Sequence, residues 1–511
     1  MGLLGALCAS VRDVYCGCCV SDRHDGVTLP YSVAQWEDPE CVERALKLGG
    51  CLGADTKVTS VSCTPFGEEG VLSAMAKVSL TYTGPPGPAT IIAKTTPLEF
   101  QSRFLARLFH LFENEVEFYR SNMAAKLDVD VPEIYFAHYD PKHARYILAM
   151  ADVGRPTADQ LTGATPEQAC LAIENLAKFH SQYFDRCRAE AATPEMAWVT
   201  LLDSGDLDVN KLLQGVYDKE VAKTLAELKD PSKFNVPPPA NVEAYMNLYR
   251  DSGHSAMQVA GEPPLEAAKA GEGGVHTTLI HGDPRLDNFF FSPCMLIDFQ
   301  LTREAVPETD VAYFLCGGSV TTEVRRAHEL CLLRLYHEQM MAKLSPEQAA
   351  SYPLETCVLM YALKQATVLM QSTTMNWDEL SGRGERTIAL VRAIFTRAYD
   401  ACEDWEGLET LRRVLEYRDS DTGTVDWLRL LQPETAKEVM GERGRQVLAL
   451  AADGPEMTAC RTMLAKAQAD NKSAAAALSA TATADASGDA SLQEVSVSIE
   501  PQGEHSPLLT Q

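Results

Sequence analysis

The sequence lacks several features that would point to a membrane-spanning, secreted or nucleic-acid-binding protein. No apolar run approaches the roughly 18 residues that a transmembrane helix needs. Basic residues are few: 45 Lys and Arg stand against 71 Asp and Glu, and the net charge of −26 argues against nucleic acid or an anionic membrane as the main partner of the folded part. The 15 cysteines have no regular spacing, which predicts free thiols and a cytoplasmic protein rather than a disulfide framework.

The N-terminus also lacks a basic residue ahead of its apolar stretch, which Arg12 interrupts early, so a signal peptide is disfavoured. Gly2 stands where myristoylation requires glycine, although Ala6 replaces the favoured Ser or Thr. Four nearby cysteines could accept palmitate: Cys8, Cys16, Cys18 and Cys19. Two lipid signals together give stable anchoring. A disordered extension, a lipid anchor and a soft-metal site remain open for this segment.

Polar residues end short apolar strands in the stretch 278–298. We predict strands at 278–280, 289–291 and 295–297. Asp283 and Asn288 lie across one tight loop, and Asp298 ends the second arm of the following hairpin, so the three side chains can converge. Two carboxylates and an amide oxygen suit Mg²⁺, which prefers oxygen ligands and usually shares its coordination shell with substrate phosphates.

The residues at 281–288 and 297–300 resemble the HGDxRxDN and IDFQ motifs of the aminoglycoside phosphotransferase and ecdysteroid kinase-like family, with choline kinases as more distant relatives. The resemblance implies an α+β, two-lobed protein-kinase-like fold that uses ATP and Mg²⁺. Asp283 would be the base facing the substrate hydroxyl, His281 would brace the loop, and Asn288 and Asp298 would hold Mg²⁺. For any single residue, a hairpin with turn-forming Asp and Asn is the alternative.

The segment 38–94 has the element order of a kinase N-lobe: a helix at 38–48 and strands at 57–64, 71–83 and 89–94. Between the first two strands, Gly67 and Gly70 leave backbone N–H groups open to phosphate oxygens, and Ser73 adds a hydroxyl. An ordinary hairpin turn is the alternative. Lys94 stands late in the third strand.

A helix is predicted at 98–121, with Glu115 in the gap of an apolar stripe. The stripe consists of Phe104, Leu108, Leu111 and Phe118. A buried carboxylate is costly unless it is paired, and the kinase fold pairs such a glutamate with the strand lysine that holds the ATP phosphates. We therefore expect Glu115 to contact Lys94; a solvated edge residue is the alternative.

Strands at 131–137 and 145–150 would complete a five-stranded N-lobe. The segment 151–154 would be the hinge whose backbone binds the adenine edge, which assigns Asp152 to nucleotide binding. The family commonly has an acidic residue at the first hinge position, where this chain has Ala151.

The remainder is predicted to be largely helical, with helices at 171–184, 323–343, 354–372 and 385–403. Asp310 could cap the helix that follows it or, as the resemblance implies, brace the loop 281–288, the catalytic loop of the family. The short interval between Asp298 and Asp310, with no DFG or APE motif, argues against a protein kinase.

These observations divide the chain into a Cys-rich extension (1–30), an N-lobe (31–153), a C-lobe (154–445) and a tail (446–511) that is helical and then disordered beyond about residue 466. The predicted function is transfer of the ATP γ-phosphate to a hydroxyl of a small molecule. The alternative is a nucleotide-binding pseudokinase or scaffold, possibly membrane-tethered. The presence of five residues that a scaffold would not need argues against it: Lys94, Glu115, Asp283, Asn288 and Asp298. The sequence identifies neither the acceptor nor the oligomeric state.

Overall fold

The structure is a computed structural model that describes residues 23–24, 27–66, 73–97, 99–201, 223, 241–252, 275–373, 385–418 and 425–487. Several sequence predictions fall outside these ranges. They are the N-terminal lipid or metal sites, Gly67 and Gly70 of the glycine loop, and the end of the C-terminal tail.

Five antiparallel strands form the sheet of the N-lobe: β1 Lys57–Pro65, β2 Ala74–Thr83, β3 Thr90–Thr95, β4 Ile134–Asp140 and β5 Arg145–Ala151. Their order in the sheet is β1-β2-β3-β5-β4, so the predicted five-stranded lobe is confirmed. β4 begins three residues later than predicted, because Pro132 has no N–H to donate to the strand ladder.

Both faces of this sheet are covered by helices. In β2, Ala76, Val78 and Leu80 are buried and alternate with exposed residues. They face a core formed with the 3₁₀ helix Val33–Glu37 and with α1 Pro39–Leu48, which was predicted at 38–48. Leu148 and Met150 of β5 contribute to a second core, formed with the helix that carries Glu115.

The helix predicted at 98–121 is in fact two helices, α2 Phe100–Leu108 and α3 Leu111–Arg120. His110 between them has a left-handed backbone with φ of 56°, which a continuous α-helix cannot contain. The prediction of one helix is therefore wrong, because Phe104 and Leu108 lie on α2 whereas Leu111 and Phe118 lie on α3. Leu111, Glu115 and Phe118 all lie within α3 and are buried, so the break does not displace Glu115 from the core.

The C-lobe is mainly helical, and the predicted α+β class is confirmed. The short helix α4 Met123–Lys126 follows α3 in the N-lobe. The helices after residue 153 are α5 Pro166–Gln182, α6 Cys187–Ala191, α7 Val242–Ser252, α8 Glu308–Cys316, α9 Thr322–Met341, α10 Pro346–Ser351, α11 Leu354–Thr373, α12 Glu385–Asp404, α13 Gly407–Leu415, α14 Trp427–Leu430, α15 Pro433–Val439, α16 Glu442–Ala449 and α17 Pro455–Ser487. Within the described ranges, none of the helices has the length and apolar character needed to cross a membrane.

Two short strand pairs carry the motif loops. β6 Thr278–Ile280 pairs with β9 Arg303–Ala305, and β7 Phe289–Phe290 forms a hairpin with β8 Met295–Leu296. The sequence analysis predicted β6, β7 and β8 and missed β9. Pairing of β9 with β6 places the segment after Asp298 beside the catalytic loop.

The C-terminal helix α17 is part of the C-lobe core. Met457, Cys460, Leu464 and Ala467 are buried, and the helix packs against α5 and α9. The expectation of disorder beyond about residue 466 is wrong as far as Ser487, because the alanine-rich run there continues the helix, consistent with the high helix propensity of alanine.

Candidate active site

Lys94 of β3 joins the two lobes. Its Nζ donates one hydrogen bond to Oε1 of Glu115 at 2.9 Å and another to Oδ1 of Asp298 at 2.7 Å. The first acceptor lies on α3 of the N-lobe, and the second follows β8 of the C-lobe. The contact expected between Lys94 and Glu115 is therefore present, and Asp298 is a third member that the sequence analysis did not place there.

Burial and charge oppose each other in this triad. Burial alone would lower the pKa of Lys94, but the carboxylates of Asp298 and Glu115 outweigh it and raise that pKa well above its ordinary value. Burial likewise favours the neutral form of Asp298, yet Lys94 holds its pKa below the usual range. For Glu115 burial dominates and raises the pKa, and its Oε2 has no hydrogen-bond partner among the described residues. Lys94 thus stabilises the ionised form of Asp298 more than that of Glu115.

Asn288 and Asp283 contact each other across the catalytic loop. Nδ2 of Asn288 donates to the main-chain oxygen of Asp283 at 2.8 Å and approaches its Oδ2 at 3.3 Å. Because the amide nitrogen is used in this way, the amide oxygen of Asn288 is the atom left for a cation. Burial raises the pKa of Asp283 to about 6, although the nearby guanidinium of Arg285 opposes this rise.

His281 supports the loop as a neutral side chain. Its Nδ1 accepts the N–H of Asp283 at 3.2 Å, and its Nε2 donates to the carbonyl of Ile297 at 3.1 Å. Burial lowers the pKa of His281, which favours this neutral tautomer. The imidazole therefore connects the catalytic loop to the segment before Asp298, and both of its nitrogens are occupied.

Asp310 anchors the backbone of the same loop. Its carboxylate accepts the N–H of His281 at 2.7 Å and the N–H of Gly282 at 3.0 Å, and it also contacts Nε2 of His180 at 3.2 Å. The N-cap residue of α8 is Pro307, so Asp310 lies inside the first turn. The sequence left open whether Asp310 caps its helix or holds the loop 281–288. The structure shows that it holds the loop.

Gly282 cannot be replaced without moving the loop. Its φ is 85°, and a Cβ at this position would lie 2.2 Å from the main-chain oxygen of Leu301. Only glycine allows the catalytic loop to approach the segment after Asp298 this closely.

Two residues beside Asp283 were not assigned roles from the sequence. Nε of Arg285 lies 3.5 Å from Oδ2 of Asp283 and 3.2 Å from Oδ1 of Asp287. The hydroxyl of Tyr313 hydrogen-bonds to the Asp283 carboxylate and lowers the pKa of that group. Tyr313 stands three residues after Asp310 on α8, on the same helix face, and this spacing is the signal that could have identified it.

Helix α3 also contacts the segment 298–301 directly. Nδ2 of Asn114 donates to the main-chain oxygen of Gln300 at 3.2 Å. The rings of Phe118 and Phe299 stack with centroids 3.7 Å apart. Asn114 was missed, although it stands three residues after Leu111 and four before Phe118, on the buried stripe.

At the predicted hinge, Asp152 is held by other protein groups. Its Oδ2 lies 2.6 Å from Nζ of Lys77, and its Oδ1 accepts the N–H of Gly154 at 2.9 Å. A nucleotide base would therefore meet the backbone here rather than this carboxylate. Ser73 is buried just before β2, while Gly67 and Gly70 lie outside the described residues.

The oxygen atoms of this site fit Mg²⁺. Within the described part of the chain, no group of three His, Cys, Asp or Glu side chains is arranged to hold a metal ion. The site instead offers the carboxylate of Asp298 and the amide oxygen of Asn288. This small all-oxygen set is what Mg²⁺ uses when substrate phosphates complete its coordination shell.

A model of the ecdysteroid kinase-like family matches residues 67–346. A search among curated proteins gives no match. Among solved structures, the chain resembles an ethanolamine kinase of Plasmodium vivax with 14% identity and a TM-score of 0.38, covering 70% of this chain and 85% of that one. It resembles a choline kinase of Cryptosporidium parvum with 10% identity and a TM-score of 0.39, covering 67% and 89%. It also resembles an aminoglycoside 2′-phosphotransferase IIIa variant in complex with GDP, with 15% identity, a TM-score of 0.38 and coverage of 70% and 98%.

Proposed function

Since the chain belongs to the ecdysteroid kinase-like family, whose model matches residues 67–346 of 511, we propose that it is an ATP-dependent kinase that phosphorylates a hydroxyl of a small molecule. The observation that carries this proposal is the contact of Lys94 with both Glu115 and Asp298, beside the contact of Asp283 with Asn288. This arrangement supports the assignment of Lys94 to phosphate binding, of Asp298 to metal binding and of Asp283 to the role of base.

Lys94 would bind the phosphates of ATP, and Glu115 would keep its ammonium group in place. Asp298 and Asn288 would hold Mg²⁺, which, when bound, neutralises negative charge on the transferred phosphoryl group. Asp298 already has a depressed pKa, so it is ionised and ready to bind a cation at neutral pH.

Asp283 would orient the acceptor hydroxyl and take up its proton. With a pKa of about 6, its carboxyl group is mostly ionised at neutral pH and is a stronger base than an exposed aspartate. A pKa near the working pH favours general-base catalysis. Arg285 and Tyr313 stabilise the carboxylate, and His281 and Asp310 hold the backbone around it.

The remaining sequence predictions complete the proposal. Backbone groups of Gly67 and Gly70, together with Ser73, would contact the phosphates, and the backbone near Asp152 would contact the base of the nucleotide. The protein would be cytoplasmic, with membrane contact through a lipidated N-terminus.

The proposal is tested with ATP labelled in its γ-phosphate, Mg²⁺, a small-molecule extract and the purified full chain. A labelled small molecule other than ATP and inorganic phosphate should appear only when Mg²⁺ is present. Asp283→Asn, which keeps the size of the side chain, should lower the initial rate by about 100- to 10,000-fold, the usual contribution of a general base. If the wild-type protein bound no nucleotide with Mg²⁺, a scaffold function would replace this one.

A further inference from the structure

We propose that Asn114 is a positioning residue for the metal ligand Asp298 and acts through the main-chain carbonyl of Gln300. The inference rests on the proposed function, because it takes Asp298 to be a metal ligand. It gives helix α3 a second connection to the metal site, separate from the one through Glu115 and Lys94.

The two connections start from neighbouring residues of α3. Glu115 accepts a hydrogen bond from Lys94, which donates to Oδ1 of Asp298. Asn114 donates to the carbonyl of Gln300 at 3.2 Å, and Nε2 of Gln300 approaches Oδ2 of Asp298 at 3.4 Å. Both oxygens of the Asp298 carboxylate are thus connected to the same turn of one helix.

The backbone of Asp298 needs such support. Its φ is 70° and its ψ is 61°, a left-handed conformation that residues other than glycine adopt uncommonly, although aspartate tolerates it better than most. Such a conformation persists only when the surroundings hold it. The residues directly after it, Phe299–Leu301, form a 3₁₀ turn, and the Asn114 bond fixes the middle carbonyl of that turn.

The hydrogen bonding of Asn114 favours this specific role over general packing. The side chain is buried, its Nδ2 donates only to Gln300, and its Oδ1 is buried without a partner among the described residues. An unsatisfied buried amide oxygen costs free energy. An apolar residue would fill the same space without that cost, so the contribution of Asn114 is its single donor to the turn.

The test compares Asn114→Leu, which keeps the branched shape and the number of side-chain heavy atoms but removes the donor, with Asn114→Asp, which turns an acceptor toward the Gln300 carbonyl. Glu117→Gln is the matched control, because it alters a surface ion pair with Arg120 on the same helix. Two properties are measured in the full chain: amide hydrogen exchange of the segment 297–302 without ligand, and the Mg²⁺ concentration that half-saturates ATP binding in calorimetry.

Asn114→Leu should speed exchange in this segment and raise the half-saturating Mg²⁺ concentration, each by about fivefold, as expected for the loss of one hydrogen bond. Asn114→Asp should have a larger effect on both, and Glu117→Gln should change neither. Unchanged exchange in Asn114→Leu, or faster exchange with an unchanged Mg²⁺ requirement, would overturn the inference and leave the proposed kinase intact. Failure of the wild type to bind Mg·ATP would instead show that Asp298 is no metal ligand and would overturn both.

Discussion

Lys94 and Asp298 are 204 residues apart in the sequence, yet Nζ of one lies 2.7 Å from Oδ1 of the other. The lysine also contacts Glu115, so one ammonium group lies between two carboxylates, and it holds the pKa of Asp298 below its ordinary value. This contact makes the integrity of the N-lobe and the position of Asp298 depend on each other.

Replacing Lys94 should lower the free energy of unfolding more than replacing Glu115. Lys94→Met leaves Glu115 and Asp298 buried without a counter-charge and should lower the free energy of unfolding by about 3–5 kcal/mol. Glu115→Gln should cost less, because Lys94 keeps Asp298. Urea unfolding measures both, with Glu113→Gln as the control because Glu113 lies at the surface, where it pairs with His110.

Phosphoryl transfer should show the same coupling. Lys94→Met and Glu115→Gln should each reduce the rate strongly, and the double variant should be little worse than Lys94→Met, because residues in one network are not additive. If Glu115→Gln retained the activity of the Glu113→Gln control, Glu115 would not be the functional partner of the lysine.

The pH dependence should follow Asp283. Burial raises the pKa of this residue to about 6, and the ionised form is the base, so kcat/KM should rise with pH up to about 6 and then level off. The Tyr313 hydroxyl lowers the pKa of Asp283; Tyr313→Phe should therefore move this acidic limb to higher pH while the plateau changes little. A limb that stayed in place would remove Tyr313 from the site.

The free energy of unfolding should fall with rising pH over the range in which kcat/KM rises. Because the pKa of Asp283 is 3.8 in the absence of the fold and about 6 within it, the folded protein binds the proton more tightly. The contribution of Asp283 to the free energy of unfolding is therefore complete below about pH 4 and falls as the pH rises toward 6. Asp283→Asn should flatten this part of the stability profile, which urea unfolding at a series of pH values between about 4 and 6 measures.

Local periodicity was enough to predict the five strands and the burial of Glu115 on a helix, and motif spacing was enough to predict that Asp283 and Asn288 lie together. They could not show that Asp298 reaches Lys94, because that contact depends on how the two lobes pack. The helix break at His110 could not be predicted either, because the spacing of apolar residues does not reveal which residue has a left-handed backbone.

The C-terminal tail is a second case in which the sequence alone did not predict the structure. Its alanine-rich composition suggested disorder, but composition does not reveal that Met457 and Cys460 fit between α5 and α9. Once those residues are buried, the helix is nucleated, and the alanines after them extend it at little cost.

Helix α17 should therefore be needed for stability. Met457→Ala should lower the free energy of unfolding by about 2–5 kcal/mol, the usual cost of truncating a buried methionine. Thr458→Ala, at the exposed neighbouring position, should change it by less than about 0.5 kcal/mol. A chain shortened to end at Gly454 should unfold at a markedly lower temperature; an unchanged unfolding temperature would exclude α17 from the core.

The N-terminus should decide where the protein is found in a eukaryotic cell. If Gly2 and the cysteines up to Cys19 carry lipids, the intact chain should sediment with membranes, and a chain that starts at Arg23 should not. The shorter chain keeps Leu29, which is fully buried in the N-lobe core, so it should remain folded. Equal distribution of the two chains would exclude the anchor.

Calorimetry of Mg·ATP binding to three forms of the full chain tests the central claim most directly. Wild type and Asp283→Asn should bind Mg·ATP with similar affinity, because Asp283 is assigned as the base and not as a metal ligand, while only the wild type transfers phosphate. Asp298→Ala should lose the Mg²⁺-dependent part of the binding. A wild-type chain that binds no nucleotide in the presence of Mg²⁺, or an Asp298→Ala chain that binds Mg·ATP as well as the wild type, would contradict the assignment of this site as a phosphotransferase centre.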